Sequence, residues 1–218
     1  MFTGIVQELA LVDKVTSSSF GISLEIARPI AFADIVIGES IALNGACLTV
    51  TSYSSKVISF DVVKETLDKT NINYLEKGHS VNLERCMKLS SRIEGHIVLG
   101  HVESTATVLR HVKDGESSRL SVAVDDKTLR YCIIKGSITI DGVSLTIASI
   151  DGNIIEVALI PHTLEYTNLS SREENDQVNI ETDVLGRYID HFLLLDNRGS
   201  SPEDYIAERL KQIQYGEN

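Results

Sequence analysis

From its start to about residue 180 the chain runs in short apolar stretches, rich in Ile, Val, Leu and Thr, divided by Gly, Ser, Asn and Asp. Alternation over four to eight residues between turn-forming residues predicts strands, here exemplified by 40–51, 56–63 and 136–149. Asp151-Gly152, between two such runs, predicts a tight hairpin, because glycine tolerates positive φ. Many short strands at regular spacing predict an all-β sandwich or barrel. The pattern changes after residue 183. Val184, Leu185, Tyr188, Ile189, Phe192 and Leu193 fall at helical spacing. Asn197 to Ser200 interrupts the run, and Ser201-Pro202 then resembles a helix start, with Ile206, Leu210 and Ile213 continuing the stripe. The stripe predicts either packing on the chain's own strands or an oligomer contact.

The strand region is duplicated. SIALNGACLTV at 40–50 aligns with SITIDGVSLTI at 137–147, an offset of 97. At the same offset Thr66-Leu67 matches Thr163-Leu164, Thr70-Asn71 matches Thr167-Asn168, and VNLE at 81–84 matches VNIE at 178–181. These stretches hold 12 identities and need no gap from Ser40 to Glu84. Nearer the start the offset is 96, pairing Gly4-Ile5-Val6 with Gly100-His101-Val102. Solenoid repeats run to roughly 50 residues at most, so this period is a domain length. Two homologous β domains, 1–96 and 97–183, are expected, with a helical tail over 184–218.

Composition limits the function. The 218 residues carry 20 Lys and Arg against 31 Asp and Glu, a net charge of −11, which argues against a nucleic-acid partner. No run approaches the 18 or so apolar residues of a membrane span, and the first residues lack the character of a signal peptide. Three cysteines without CxxC spacing argue against a disulfide framework or a zinc site and for a reducing cytoplasm. Nucleotide-binding and hydrolase motifs are absent.

The duplication also separates shared positions from divergent ones. Gly45 and Gly142, Leu48 and Leu145, Thr49 and Thr146, and Thr66 and Thr163 agree between the halves. Cys47 stands opposite Ser144, which argues against a purely apolar slot and for a nucleophile or weak acid. His101 stands opposite Ile5 and suits a proton-handling role. His96 and His101, five apart on opposite faces of an ideal strand, do not suggest a shared metal. Lys135 reads as a solvated strand-end lysine. Asp183 reads as a helix cap or as a charge partner for Lys or His.

MFTGIV at 1–6, NGACLTV at 44–50, GHIVLGHV at 95–102, KGS at 135–137, DGVSLT at 141–146 and IPHTL at 160–164 together resemble riboflavin synthase, the trimeric two-barrel family. The likeness covers about residues 1–190. It implies two six-stranded Greek-key barrels, each with a short helix, and a C-terminal helix that holds a homotrimer. It implies transfer of a four-carbon unit between two molecules of 6,7-dimethyl-8-ribityllumazine, giving riboflavin and 5-amino-6-(ribitylamino)uracil without cofactor or metal. The site would lie between the first barrel of one subunit and the second barrel of its neighbour. Association with lumazine synthase is a further partner that it suggests. The functional positions it implies are Ser40, Cys47, Thr49, His101, Lys135, Ser144, Thr146 and Asp183. Substrate contacts would come from Gly4, Ile5 and Val6; from Leu48; from Asp61, Val62, Val63, Lys64, Glu65 and Thr66; from Gly100 and Val102; and from Leu145, Leu159, Ile160, Pro161, His162, Thr163 and Leu164. Glu94, Leu99 and Glu103-Ser104 depart from the usual pattern beside His101. The alternative is a non-catalytic lumazine- or flavin-binding paralogue, a fluorescent antenna protein, which would lose catalytic residues mainly from its second half. A purely structural trimer would leave the divergence between the halves unexplained.

Overall fold

The computed structural model describes residues 1–196. Twelve strands close into two antiparallel barrels of six. The first contains β1 (Glu8–Ser18), β2 (Gly21–Ala27), β3 (Ser40–Leu43), β4 (Ala46–Tyr53), β5 (Val57–Val63) and β6 (Ser80–Arg85). The second contains β7 (Ser104–Asp114), β8 (Ser117–Ala123), β9 (Ser137–Ile140), β10 (Val143–Asp151), β11 (Ile154–Leu159) and β12 (Gln177–Thr182). Around the first barrel the order is β1-β2-β5-β4-β3-β6, and the second repeats it as β7-β8-β11-β10-β9-β12. Short helices α1 (Lys64–Lys69), α2 (Asp126–Leu129) and α3 (Pro161–Tyr166) decorate the barrels, and α4 (Val184–Asp196) follows them.

The alternation seen in the sequence sorts the side chains. Ala46, Leu48 and Val50 of β4 point into the first core with Leu24, Ile26, Phe60 and Leu83, while Cys47 and Thr49 point outward. Each fully buried Leu, Ile or Phe contributes about 1.5–3 kcal/mol, so each barrel has its own core. Bulges recur at equivalent places: between Val12 and Lys14 and between Val108 and Arg110, then between Val50 and Ser52 and between Ile147 and Ser149. They supply the extra twist that lets six strands close.

Two stretches read as single strand segments are hairpins. Asn44-Gly45 divides 40–51 and Asp141-Gly142 divides 136–149, all four residues with positive φ, as a two-residue type I′ turn requires. The hairpin after β10 turns on Gly152-Asn153, with Asp151 paired to Ile154. The tips of the first two hairpins meet. A Cβ on Gly45 would come within 2.8 Å of the Gly142 nitrogen, and one on Gly142 within 2.6 Å of the Gly45 nitrogen.

Around these tips lies a buried polar seam. Asn82 Nδ2 donates to the Asp141 carbonyl and to Asn168 Oδ1, both at 2.8 Å, and Asn82 Oδ1 accepts from the Asn168 N–H at 2.8 Å. The pseudo-equivalent bonds run the other way. Asn179 Nδ2 donates to the Asn44 carbonyl at 2.8 Å, and Asn179 Oδ1 accepts from the Asn71 N–H at 2.6 Å. Here the VNxE repeat and the Thr-Asn repeat acquire a physical role. The symmetry breaks once. Where the first half has Asn44, the second has a fully buried Asp141, and Arg172, at the position equivalent to Leu75, donates to it at 2.9 and 2.6 Å.

Residues 1–183 form one compact unit, and 184 onward form another. In α4 the apolar residues at 185, 188, 189, 192 and 193 keep helical spacing. The second helical stretch expected from Ser201 onward lies outside the described residues. Among the described residues no helix is long and apolar enough to cross a membrane.

Removing Arg172 strands a buried carboxylate, so Arg172→Leu should lower unfolding stability by about 3–5 kcal/mol. Adding Asp141→Asn recreates the Asn44–Leu75 combination and should restore most of that loss. Urea unfolding of the two variants beside the parent measures both effects.

Candidate functional site

The two segments that precede the barrels cross over. Phe2 and Val98 pair as an antiparallel bridge, with the Phe2 N–H to the Val98 carbonyl at 2.7 Å and the reverse bond at 3.1 Å. From there each segment lies against the barrel that it does not lead into. Gly4 accepts from the Ser144 N–H at 2.7 Å, and Val6 packs against the second core. Gly100 accepts from the Cys47 N–H at 2.8 Å, and Val102 packs against the first core. The contacts leave no room for a side chain. A Cβ on Gly4 would lie 2.6 Å from Ser144 Cβ, and one on Gly100 would lie 2.6 Å from Cys47 Cβ. Both glycines also have positive φ, +76° and +79°.

This crossing lays a foreign segment on each barrel's outer face, and on the first barrel a cleft forms beside it. A cleft of about 220 Å3 on the first barrel is lined by Ala46, Cys47, Glu65, Thr66, Lys69, Thr70, Gly100, His101 and Val102. Six expected site residues therefore share one wall, and His101, although it belongs to the second half of the sequence, sits in the first barrel's cleft beside Cys47. Thr49 lies on the same outer face of β4 and pairs in register with Ser40. Asp61 and Val63 occupy the exposed face of β5, and Lys64 is exposed at the start of α1.

On the second barrel Ser144 and Thr146 take the outer face of β10, next to Gly4, the exposed Ile5 and the half-buried Val6. Ile160 is exposed where α3 begins, followed by exposed Pro161 and His162 and half-buried Thr163 and Leu164. Lys135 is exposed with φ of +69°, and its N–H donates to the Ile147 carbonyl, one residue from Thr146.

Four expected contact residues do not reach either barrel's outer face with their side chains. Leu48, Val62, Leu145 and Leu159 point inward and fill the cores, as the two-residue period dictates, leaving only backbone atoms for a ligand. Conversely, His96 had no assigned role in the sequence reading. It is buried, its Nδ1 lies 2.8 Å from Ser144 Oγ, and its Nε2 is buried without a protein partner. Burial pulls this imidazole below the ordinary value of 6.5, against the opposing pull of the Asp183 carboxylate. A neutral ring beside a hydroxyl can take or relay its proton. The signal in the sequence is the doubled Gly-His of GHIVLGH at 95–101, which places a second histidine five residues before His101. Among the described residues no group of His, Cys, Asp and Glu is arranged to hold a metal ion.

Comparison with known proteins bears on the ligand. Residues 3–86 and 99–183 each match the Lumazine binding domain family. The chain is 38% identical to riboflavin synthase of Actinobacillus pleuropneumoniae, covering 99% of this chain and all of that one. It is 37% identical to riboflavin synthase of Bacillus subtilis strain 168, covering 97% and 99%. Solved structures of LumP are also similar. LumP complexed with riboflavin superposes with a TM-score of 0.79 at 27% identity, and LumP complexed with 6,7-dimethyl-8-(1'-D-ribityl) lumazine with 0.77 at 27%, each over 84% of this chain and 99% of that one.

The lowered His96 pKa has a stability consequence. Below 6.5 the unfolded chain takes up a proton that the folded chain refuses, so stability falls as the pH drops through the window between the ordinary and lowered values. His96→Gln removes this contribution. The loss of urea resistance between pH 7.5 and 5.5 should therefore be smaller in the variant than in the parent, and equal losses would place the imidazole at its ordinary value.

Proposed function

Because the chain belongs to the riboflavin synthase family, transferases built from paired lumazine-binding domains, we propose that it converts two molecules of 6,7-dimethyl-8-ribityllumazine into riboflavin and 5-amino-6-(ribitylamino)uracil. The observation that carries this reading is the pair of equivalent outer faces with unlike chemistry, Cys47 on β4 and Ser144 on β10. One substrate used twice suits two related pockets, and opposite fates for the two copies suit different residues at matching positions. The four-carbon unit leaving one lumazine is the unit gained by the other, so the two products account for every atom of the two substrates and no oxidant enters.

The residues divide the work as follows. In the first cleft His101 lies next to Cys47, a base and a thiol on one wall. On the second barrel's outer face, Ser144 is hydrogen-bonded to a buried His96 whose neutral form burial favours. The C7 methyl of a lumazine is acidic because its carbanion delocalises into the ring, and a neutral imidazole suits its deprotonation. The other copy has to accept a nucleophile at C7, a role for Cys47 or for a water held by Ser40 or Cys47. Holding the two rings face to face supplies an entropic advantage of up to roughly 7–11 kcal/mol.

Neither outer face is covered. Thr49, Asp61 and Val63 on the first barrel and Thr146 and Ile160 on the second are exposed. Each needs a cover, and the equivalent face of a second copy is one candidate. A homotrimer, in which the first barrel of one subunit meets the second barrel of the next, covers both, with the α4 stripe holding the subunits together. The LumP structures favour the binding-only alternative on fold alone. Identity to the synthases is higher, and Cys47, His101, Lys135, Ser144 and Thr146 are all present.

Incubation of the full chain with 6,7-dimethyl-8-ribityllumazine should give riboflavin and the diaminouracil product in equal amounts. Tight fluorescent binding without turnover would establish the antenna reading instead. Cys47→Ala should reduce kcat by about 100-fold or more, and wild-type turnover would make the residue a packed thiol.

Charged substitutions at Ile189 and Phe192 should give monomers with folded, ligand-binding barrels and little turnover. Light scattering run beside the activity assay decides this. A fully active monomer rules out the shared site, and an unchanged trimer rules out the helix as its cause.

A further inference from the structure

Asn82 and Asn179 account for half of the repeated VNxE motif; its closing glutamates have a separate task. Glu84 and Glu181 are both buried, 5% and 3% exposed. Glu84, in the first barrel's β6, accepts from the Thr3 N–H at 2.6 Å, the Thr3 hydroxyl at 2.8 Å and the Gly4 N–H at 3.0 Å. Glu181, in the second barrel's β12, accepts from the Leu99 N–H at 2.7 Å and the Gly100 N–H at 2.9 Å. The donors in both cases belong to the crossing segments.

The far side of each segment then touches the outer face of the opposite barrel. The Gly4 whose N–H Glu84 holds also accepts from Ser144 of the second barrel, and the Gly100 whose N–H Glu181 holds accepts from Cys47 of the first. We infer that Glu84 and Glu181 are positioning residues that each fix the segment packed on the other barrel, so that the outer faces of β4 and β10 are wired crosswise through two glycine peptides. That these faces are substrate sites rests on the function proposed above; the crosswise wiring rests on the geometry alone.

Only a carboxylate meets the demand. It offers two acceptor oxygens and no donor to a fork of adjacent N–H groups, whereas glutamine would turn an N–H2 toward one of them. Burial raises the pKa of both glutamates, against the N–H bonds that pull it down, so each carboxylate carries a desolvation cost that simple packing would not require. The side chain of Leu99, a departure from the family pattern, is not read by this clamp; its backbone N–H is.

Amide hydrogen exchange followed peptide by peptide in the full chain tests the wiring. In Glu181→Gln the Cys47 amide, bonded to Gly100, should exchange about tenfold faster, the size expected for losing one charge-assisted bond, while the Ser144 amide keeps its rate. Glu84→Gln should show the reverse. Exchange that rises instead across β7, β9 and β12 in Glu181→Gln, or rises equally at both amides in either variant, overturns the inference, because the glutamate would then only hold its own barrel together. If a glutamine variant does not fold, the aspartate variant keeps the charge one methylene short. It should show the same crossed pattern in weaker form, and unchanged exchange there overturns the inference as well. A wild-type chain that makes no riboflavin would remove the proposed function and leave this exchange pattern readable.

Discussion

The seam between the barrels is closed to water, and every amide on it has to find its partners within the protein. Asn44, Asn71 and Asn82 of the first barrel and Asp141, Asn168 and Asn179 of the second meet that requirement by exchanging bonds across a pseudo-two-fold axis. A buried amide without its partner costs about 1–3 kcal/mol, so a seam of this kind tolerates one register. The register places the two hairpin tips in contact, glycine against glycine, and with them β4 and β10, whose outer faces carry Cys47 and Ser144. The geometry of the candidate site thus descends from a polar interface that contains none of the candidate site residues.

The same axis explains why the crossing segments come as a pair. Phe2 and Val98 bridge each other and share a small cluster with Ala42, against which Cys47 and Cys86 pack. Once bridged, the segments run on to opposite barrels, and equivalent glycines reach equivalent strands. A cleft completed by its own barrel alone would leave the two sites independent. Completion by exchange makes the position of each wall a property of the whole unit of residues 1–183.

Much of this was legible in the sequence because duplication writes each structural demand twice. Alternation exposed the strands, the 97-residue offset exposed two barrels, and helical spacing exposed α4. The hairpin turns at Asn44-Gly45 and Asp141-Gly142 were blurred by the apolar residues on both sides, which read as one run. What pattern could not show was which barrel a linking segment serves. His101 precedes β7 in the chain yet stands beside Cys47, a long-range outcome of carbonyl bonding and the Glu181 clamp. His96 went unassigned for a related reason: its partner Ser144 is 48 residues away, and nothing local marks the pairing. At Leu48, Val62, Leu145 and Leu159 every second strand residue faces the core, so a contact segment taken whole includes positions that offer a ligand only backbone atoms.

Two divergences between the halves bear on the seam and the site, and they are of different kinds. Asn44 against Asp141 is compensated within the fold, because Arg172 arrives where Leu75 stands and restores neutrality to the seam. Cys47 against Ser144 is not compensated in that sense: Cys47 shares the first barrel's cleft with the exposed His101, and Ser144 bonds to the buried His96. A repeat under structural demand alone has no reason to place a thiol with an open imidazole on one side and a hydroxyl with a desolvated one on the other. The proposed reaction supplies that reason, because one copy of the substrate would give up a four-carbon unit and the other would gain it. Proton loss from one ring and nucleophile addition to the other would call for unlike surroundings.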